Sequence, residues 1–183
     1  MLAVRSFPAS ISIAALLSAC GSAPTGDAPN HDGPIFLAFA SDFNGFHSWD
    51  AYPFEGTQGA LPIHVSGPRT VYLNKRPPKG SSAFPMGTII VKEVEDTPVL
   101  VDRKIFARVK RGGDYNSLGA TGWEWFELKN QSDGSTGIVW RGVGPPAGEC
   151  ASYGGDASGC NPCHAAARDN DFVSTAALLL GSF

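Results

Sequence analysis

Apolar and polar residues alternate with a period of two through much of the middle of this chain, the mark of half-buried strands. The clearest runs are residues 69–74 (Arg-Thr-Val-Tyr-Leu-Asn) and 88–93 (Thr-Ile-Ile-Val-Lys-Glu), both rich in β-branched side chains. Asp96-Thr97-Pro98 turns the chain, so residues 99–109 are expected to return as a hairpin partner. A glycine-rich loop at 112–121 precedes another strand at 122–128 (Gly-Trp-Glu-Trp-Phe-Glu-Leu), and residues 137–141 pair back after a turn at 130–135. A shorter alternating run, 61–65, stops at Gly67-Pro68. These connections are too short for parallel crossovers, so the predicted sheet is mainly antiparallel. Helical signals are weaker. Ser41 is placed to cap a short helix carrying Phe43 and Phe46, and a terminal helix is expected over 165–180, interrupted near Asp169-Asn170-Asp171. The fold class is α+β.

Alternation also sorts side chains by face. Thr88, Ile90 and Lys92 share one face of their strand, with Ile89, Val91 and Glu93 on the other. In the next long strand Glu124 lies with Phe126 and Leu128, and Glu127 with Trp123 and Trp125. The aromatic-rich stretch 35–54 is expected to pack a core, with His47 a satisfied structural histidine within it.

The N-terminus reads as a processing segment. Arg5 supplies the positive end and residues 11–17 an apolar run too short to span a bilayer. Leu17-Ser18-Ala19-Cys20 resembles the lipobox of bacterial lipoprotein precursors, in which the cysteine is lipidated; an ordinary secretory cleavage site is the alternative. The expected organisation is a signal peptide at 1–19, lipidation at Cys20, a flexible tether over 20–34 and a single domain at 35–183. Gly21-Ser22 in place of Asp favours a lipid anchor on the periplasmic side of the outer membrane. No further apolar run is long enough to be transmembrane, and a net charge of −3 leaves no basic footprint for nucleic acid.

The chemistry concentrates in Cys160-Asn161-Pro162-Cys163-His164, a C-x-x-C-H sequence. Its spacing suits covalent attachment of one c-type haem: two thiols a short turn apart reach the two vinyl groups, and the next residue offers an imidazole to the iron. Independent placement of 4 Cys and 4 His in this chain would produce the pattern about 0.002 times. A disulfide, a thioredoxin-like redox pair and half of a zinc site are the competing readings; zinc needs two more ligands and a thioredoxin pair needs a βαβ setting. With Cys20 lipidated and the motif pair on haem, Cys150 is left without an assignment. Only residues 165–183 follow His164, and they contain neither Met nor His. A sixth iron ligand would have to come from Met86, His31, His47, His64 or a lysine. An open distal position is therefore expected, pointing to small-molecule chemistry over electron relay.

The strand sequences at 69–74, 85–93 (Pro-Met-Gly-Thr-Ile-Ile-Val-Lys-Glu) and 122–127, followed by a C-terminal C-x-x-C-H, resemble the cytochrome P-460 family, which includes the β-type cytochromes c′. The likeness runs from about Arg69 to His164. It implies an antiparallel sheet flanked by helices, a homodimer and a five-coordinate haem. Catalytic members cross-link a lysine to the macrocycle and oxidise hydroxylamine, passing electrons to an exported acceptor such as a cytochrome c. The β-type cytochromes c′ lack the link and bind nitric oxide. Lys92, in line with apolar side chains, is the candidate for the cross-link, against the alternative that it snorkels to solvent. Lys75 and Lys79 sit in a solvated loop, and Lys110 in a charged strand end. Glu124 is preferred to Glu127 as proton acceptor, with pairing to Arg69 or Arg108 as its structural alternative. Arg69 is a candidate partner for a haem propionate. A membrane-tethered electron carrier is the weakest of the three functions.

Overall fold

The structure is a computed structural model that describes residues 34–54, 67–148 and 151–183. Seven strands form one sheet in sequence order: β1 (Asp50–Phe54), β2 (Arg69–Leu73), β3 (Ile89–Val94), β4 (Lys104–Lys110), β5 (Trp123–Asn130), β6 (Thr136–Gly142) and β7 (Tyr153–Gly154). Neighbours pair antiparallel throughout except β6 with β7, which is parallel. The alternating runs thus become a meander, the simplest outcome when each strand is followed by a short turn.

Both faces of the sheet are apolar, and each is covered by one end of the chain. Residues 34–49 lie over the first face, where Phe43 and Phe46 pack on Tyr72, Ile89, Val91 and Phe126. Arg141 Nη1 donates to the Ala38 carbonyl (2.8 Å), and the Phe36 N–H to the Arg111 carbonyl (2.8 Å), fixing that cover. His47 Nε2 lies 3.2 Å from both carboxylate oxygens of buried Glu93, which also accepts from Arg103 and Asn130. His47 is the satisfied histidine expected. The C-terminal segment covers the second face, with Phe172, Val173, Leu178 and Leu180 against Val71, Leu73, Ile90, Trp123 and Trp125.

Several local expectations are corrected. A strand at 50–54 was not anticipated; it contains Pro53, which an edge strand accommodates because one side of its backbone needs no donor. The hairpin partner of β3 begins only at Lys104, residues Leu100–Asp102 forming a 3-10 turn. The helix near Ser41 is a 3-10 turn at Ala40–Phe43, and the Asp42 carboxylate, not Ser41, accepts the Phe39 N–H (2.7 Å). No continuous helix spans 165–180. One helical turn, Asn161–His164, is followed by 3-10 turns at Ala165–Asn170, Ala176–Leu178 and Leu180–Ser182. Asp171 (φ 51°) and Phe172 (φ 64°) interrupt them in the left-handed region, which costs L-residues energy and must be held by tertiary contacts. At the β6–β7 edge Gly142 meets Gly154 so closely that a methyl group on Gly142 would overlap the Gly154 carbonyl. The run at 61–65, the signal peptide, Cys20, His31, His64 and Cys150 lie outside the described residues, as does nearly all of the tether.

Candidate haem site

A cavity of about 360 Å³ opens on the second face of the sheet. Its floor is two cross-strand rows. One row contributes Val71, Lys92, Phe106 and Trp140 to the lining, and the next Ile90, Arg108 and Trp125. Its wall is the C-x-x-C-H segment, with Cys160, Cys163 and His164 all lining it, and residues 174–176 lie along one side. The aromatic and aliphatic lining is carried by strands and the thiols and imidazole by the single helical turn, so rigid elements position both. Neither cysteine is in a disulfide. Burial first, then the neighbouring Cys163, pushes the Cys160 thiol up to about 11, with Lys92 opposing the shift.

His164 is oriented from three sides. Its Nδ1 lies 3.1 Å from the Phe172 carbonyl; in the tautomer that donates to this acceptor, Nε2 is the nitrogen left with its lone pair. A metal-binding histidine characteristically donates its other N–H in this way. Trp125 packs on the imidazole at 4.5 Å between ring centroids, tilted by 37°. Arg108 Nη1 donates to the same Phe172 carbonyl (2.9 Å) and lies 3.3 Å from Nδ1. Burial draws Arg108 down to about 10, with Asp171 countering it.

The left-handed turn at 171–172 presents that carbonyl. Asp171 accepts from Lys110 Nζ (2.6 Å) and from the Phe84 N–H (2.9 Å), and its own carbonyl accepts from Trp123 Nε1 (2.8 Å). Lys110, the last residue of the charged end of β4, is therefore a largely buried member of this support. Asp171→Asn keeps the size of the side chain while removing the charge-assisted bond from Lys110. It is expected to cost about 1.5–3 kcal/mol in a denaturant unfolding experiment.

Lys92 lines the cavity, its ammonium 5.2 Å from the Phe106 ring centroid. Burial pushes its pKa down to about 7; the Arg69 and Arg108 charges add to the shift and Cys160 counters it. Arg69 lines the same cavity, its guanidinium 5.3 Å from the centroid of Phe54. Five of the residues singled out from the sequence, Arg69, Lys92, Cys160, Cys163 and His164, thus meet at one place.

Glu124 does not join them. The parity of its strand was read correctly, but its face is the one covered by the N-terminal segment. There its buried carboxylate accepts from Arg141 Nε (2.6 Å) and Nη2 (2.8 Å), with Arg111 Nη1 at 3.4 Å. Its partners are neither Arg69 nor Arg108. Glu124→Gln leaves two guanidinium groups without their carboxylate and should destabilise the fold by about 3–5 kcal/mol. Denaturant titration measures that loss, while the optical spectrum of any bound haem stays unchanged. Glu127 is on the cavity-side face but turns to its edge, accepting from Trp140 Nε1 (2.7 Å). Among the described lining residues there is no carboxylate, and neither Met86 nor His47 is present.

The residues suit a c-type haem: paired thiols beside an imidazole whose Nδ1 faces a carbonyl, an apolar aromatic cavity, and a guanidinium able to meet a propionate. Sequence reasoning missed Arg108, Lys110, Asn161 and Asp171. Asn161 lies inside the motif; Arg108 and Lys110 entered the sequence reading only as charged strand residues, and Asp171 only as part of a helix interruption. No protein-family model, no curated protein and no solved structure matches this chain. Among the described residues no helix is long and apolar enough to cross a membrane.

Proposed function

We propose that this chain is a c-type haem protein of the cytochrome P-460 kind, a haem oxidoreductase that oxidises hydroxylamine. The observation that carries the reading is the convergence of Cys160, Cys163 and His164 on one cavity with Lys92. A bound haem supplies an iron able to accept electrons from a small nitrogen compound and release them to an exported acceptor. The two cysteines would hold its periphery and His164 Nε2 its iron. The guanidinium of Arg69 suits a propionate carboxylate, which a fixed planar fork meets with two parallel bonds. Trp125, Phe106 and Phe54 give the cavity an apolar lining, a low-polarity setting in which charge interactions are stronger than in water.

Lys92 has the chemistry for either of two tasks. With its pKa near 7, a substantial fraction of the amine is unprotonated at neutral pH. An unprotonated amine is the nucleophilic form required for a bond to carbon. It is also a base within the site for the protons that oxidation of N–H bonds releases. The test is hydroxylamine-dependent reduction of an added electron acceptor by the purified holoprotein, together with the ferrous optical spectrum. Turnover and a strongly red-shifted Soret band support the reading; an ordinary ferrous spectrum with no turnover removes it.

The second reading is a nitric oxide-binding protein of the β-type cytochrome c′ kind. It is favoured by the cavity lining, which among the described residues offers no carboxylate as proton acceptor. Both readings place the protein outside the cytoplasm as a lipoprotein anchored through Cys20, and as a homodimer; labelling with a fatty-acid precursor and sedimentation test these.

A further inference from the structure

Asn161, the first residue between the two motif cysteines, does not behave as a spacer. Its side chain is 4 % exposed and sits at the centre of a buried polar network. Oδ1 accepts from Asn116 Nδ2 (2.9 Å), from the Ala120 N–H (3.1 Å) and from Trp125 Nε1 (3.3 Å). Nδ2 donates to Asn116 Oδ1 (2.8 Å), so the two amides face each other reciprocally. Asn116 takes up the left-handed conformation (φ 57°) and bonds onward to the Trp123 carbonyl (3.1 Å). Gly119 lies so close that a methyl group there would overlap the Asn161 side chain. Thioether chemistry asks nothing of this position except length, so the network needs another explanation.

Trp125 provides it, because the same indole that donates to Asn161 packs on the His164 imidazole. Rotation of His164 is limited on one side by the Nδ1 bond to the Phe172 carbonyl and on its ring face by Trp125. We infer that Asn161 is a positioning residue for the iron ligand: by fixing both the attachment turn and the Trp125 indole, it sets the plane of the His164 imidazole. The inference rests on the haem reading above. It assigns a role to a residue between the cysteines that attachment itself leaves open. An indole N–H at depth needs an acceptor, and a buried amide in turn needs its own donors and acceptors met. Asn161 meets both demands with a single side chain.

Three holoproteins test it: wild type, Asn161→Ala and Trp125→Phe, the last keeping an aromatic ring beside His164 while deleting the donor to Asn161 together with part of the indole surface. Haem content is measured first by the pyridine haemochrome method, and a wild-type protein without haem overturns this inference together with the reading it rests on. In haem-loaded proteins the iron–imidazole stretch is read by resonance Raman on the ferrous form, and the ferric g-values by electron paramagnetic resonance. The expected result is a shifted or broadened iron–imidazole band in Asn161→Ala and a smaller change of the same sense in Trp125→Phe. A purely structural asparagine lowers the melting temperature of Asn161→Ala and leaves both spectra as in wild type. That outcome overturns the inference while leaving the haem assignment intact. Should Asn161→Ala fail to fold, Trp125→Phe decides alone: an unshifted band refutes the coupling.

Discussion

Replacing Cys160 and Cys163 together by serine in a chain that also carries Lys92→Met is expected to abolish covalent haem. The Lys92→Met chain should keep its haem through acid–acetone extraction and denaturing electrophoresis, whereas the chain with both serines added should lose it quantitatively. The sulfur atoms are the only groups in residues 160–164 able to form thioethers, and with Lys92 replaced the other side chain proposed to bond the macrocycle is gone. Each single variant retains one thiol and should keep a haem held by one bond, recognisable by a red-shifted pyridine haemochrome band. His164→Ala completes the set. It keeps both thiols but removes the imidazole whose Nδ1 faces the Phe172 carbonyl. Covalent haem should persist there with the iron–imidazole stretch absent. Retention of haem through extraction in the Lys92→Met chain with both serines would sink the whole assignment.

The second large effect belongs to Lys92→Met, which keeps the length and apolar stem of the side chain. If the amine is bonded to the macrocycle, as the hydroxylamine-oxidising reading requires, the red-shifted ferrous Soret band of the wild type should revert to an ordinary c-type position. Persistence of the shift would show that another group forms the bond. Under the nitric oxide-binding reading the amine stays unbonded, and the substitution is read in stability. The folded-state pKa of Lys92 is lowered from 10.5 to about 7. Between those pH values the unfolded chain holds a proton that the folded chain has released, so stability rises with pH across this window. Below pH 7 both states are protonated and the cost of burying the ammonium is fully present; above 10.5 it vanishes. Lys92→Met should therefore stabilise the protein most below pH 7, on the order of 3 kcal/mol, and progressively less toward pH 10. Denaturant midpoints measured at pH 6, 8 and 10 for both proteins give the sign directly. A gain independent of pH would mean that Lys92 titrates normally and does not face the cavity interior.

How legible this was varied with the reach of the contacts involved. The long strands could be read because β-branched and aromatic residues alternate over five or more positions, a pattern imposed locally by the pleat. β1 escaped because Pro53 lies inside it and the aromatics of the surrounding 35–54 stretch are irregularly spaced; it exists as a strand only through pairing with β2. The two-residue β7 depends on the meeting of Gly142 and Gly154, which no local pattern announces. The terminal segment breaks at Asp171, where an interruption is expected, but forms only 3-10 turns on either side; the left-handed backbone of Asp171 and Phe172 is held by Lys110, Phe84, Trp123 and Arg108, all distant in the chain.

In the site the same division holds. Cys160, Cys163 and His164 lie within five residues, and the chemistry proposed for them rests on that spacing. That Lys92 shares a face with Ile90, and Glu124 with Phe126, follows from alternation alone. Alternation labels two faces but does not say which of them bears a cavity, and here both faces are apolar, each covered by one end of the chain. Tertiary packing made that choice, bringing Lys92 to the C-x-x-C-H segment and sending Glu124 to Arg141. Arg108 stands beside His164 for the same reason, across 56 residues of sequence. By itself, then, the sequence determined the long strands and the C-x-x-C-H spacing, because pleat and motif spacing act over a few residues. Only the tertiary structure decided which charged groups accompany the motif, because that depends on which covering segment docks on which face of the sheet.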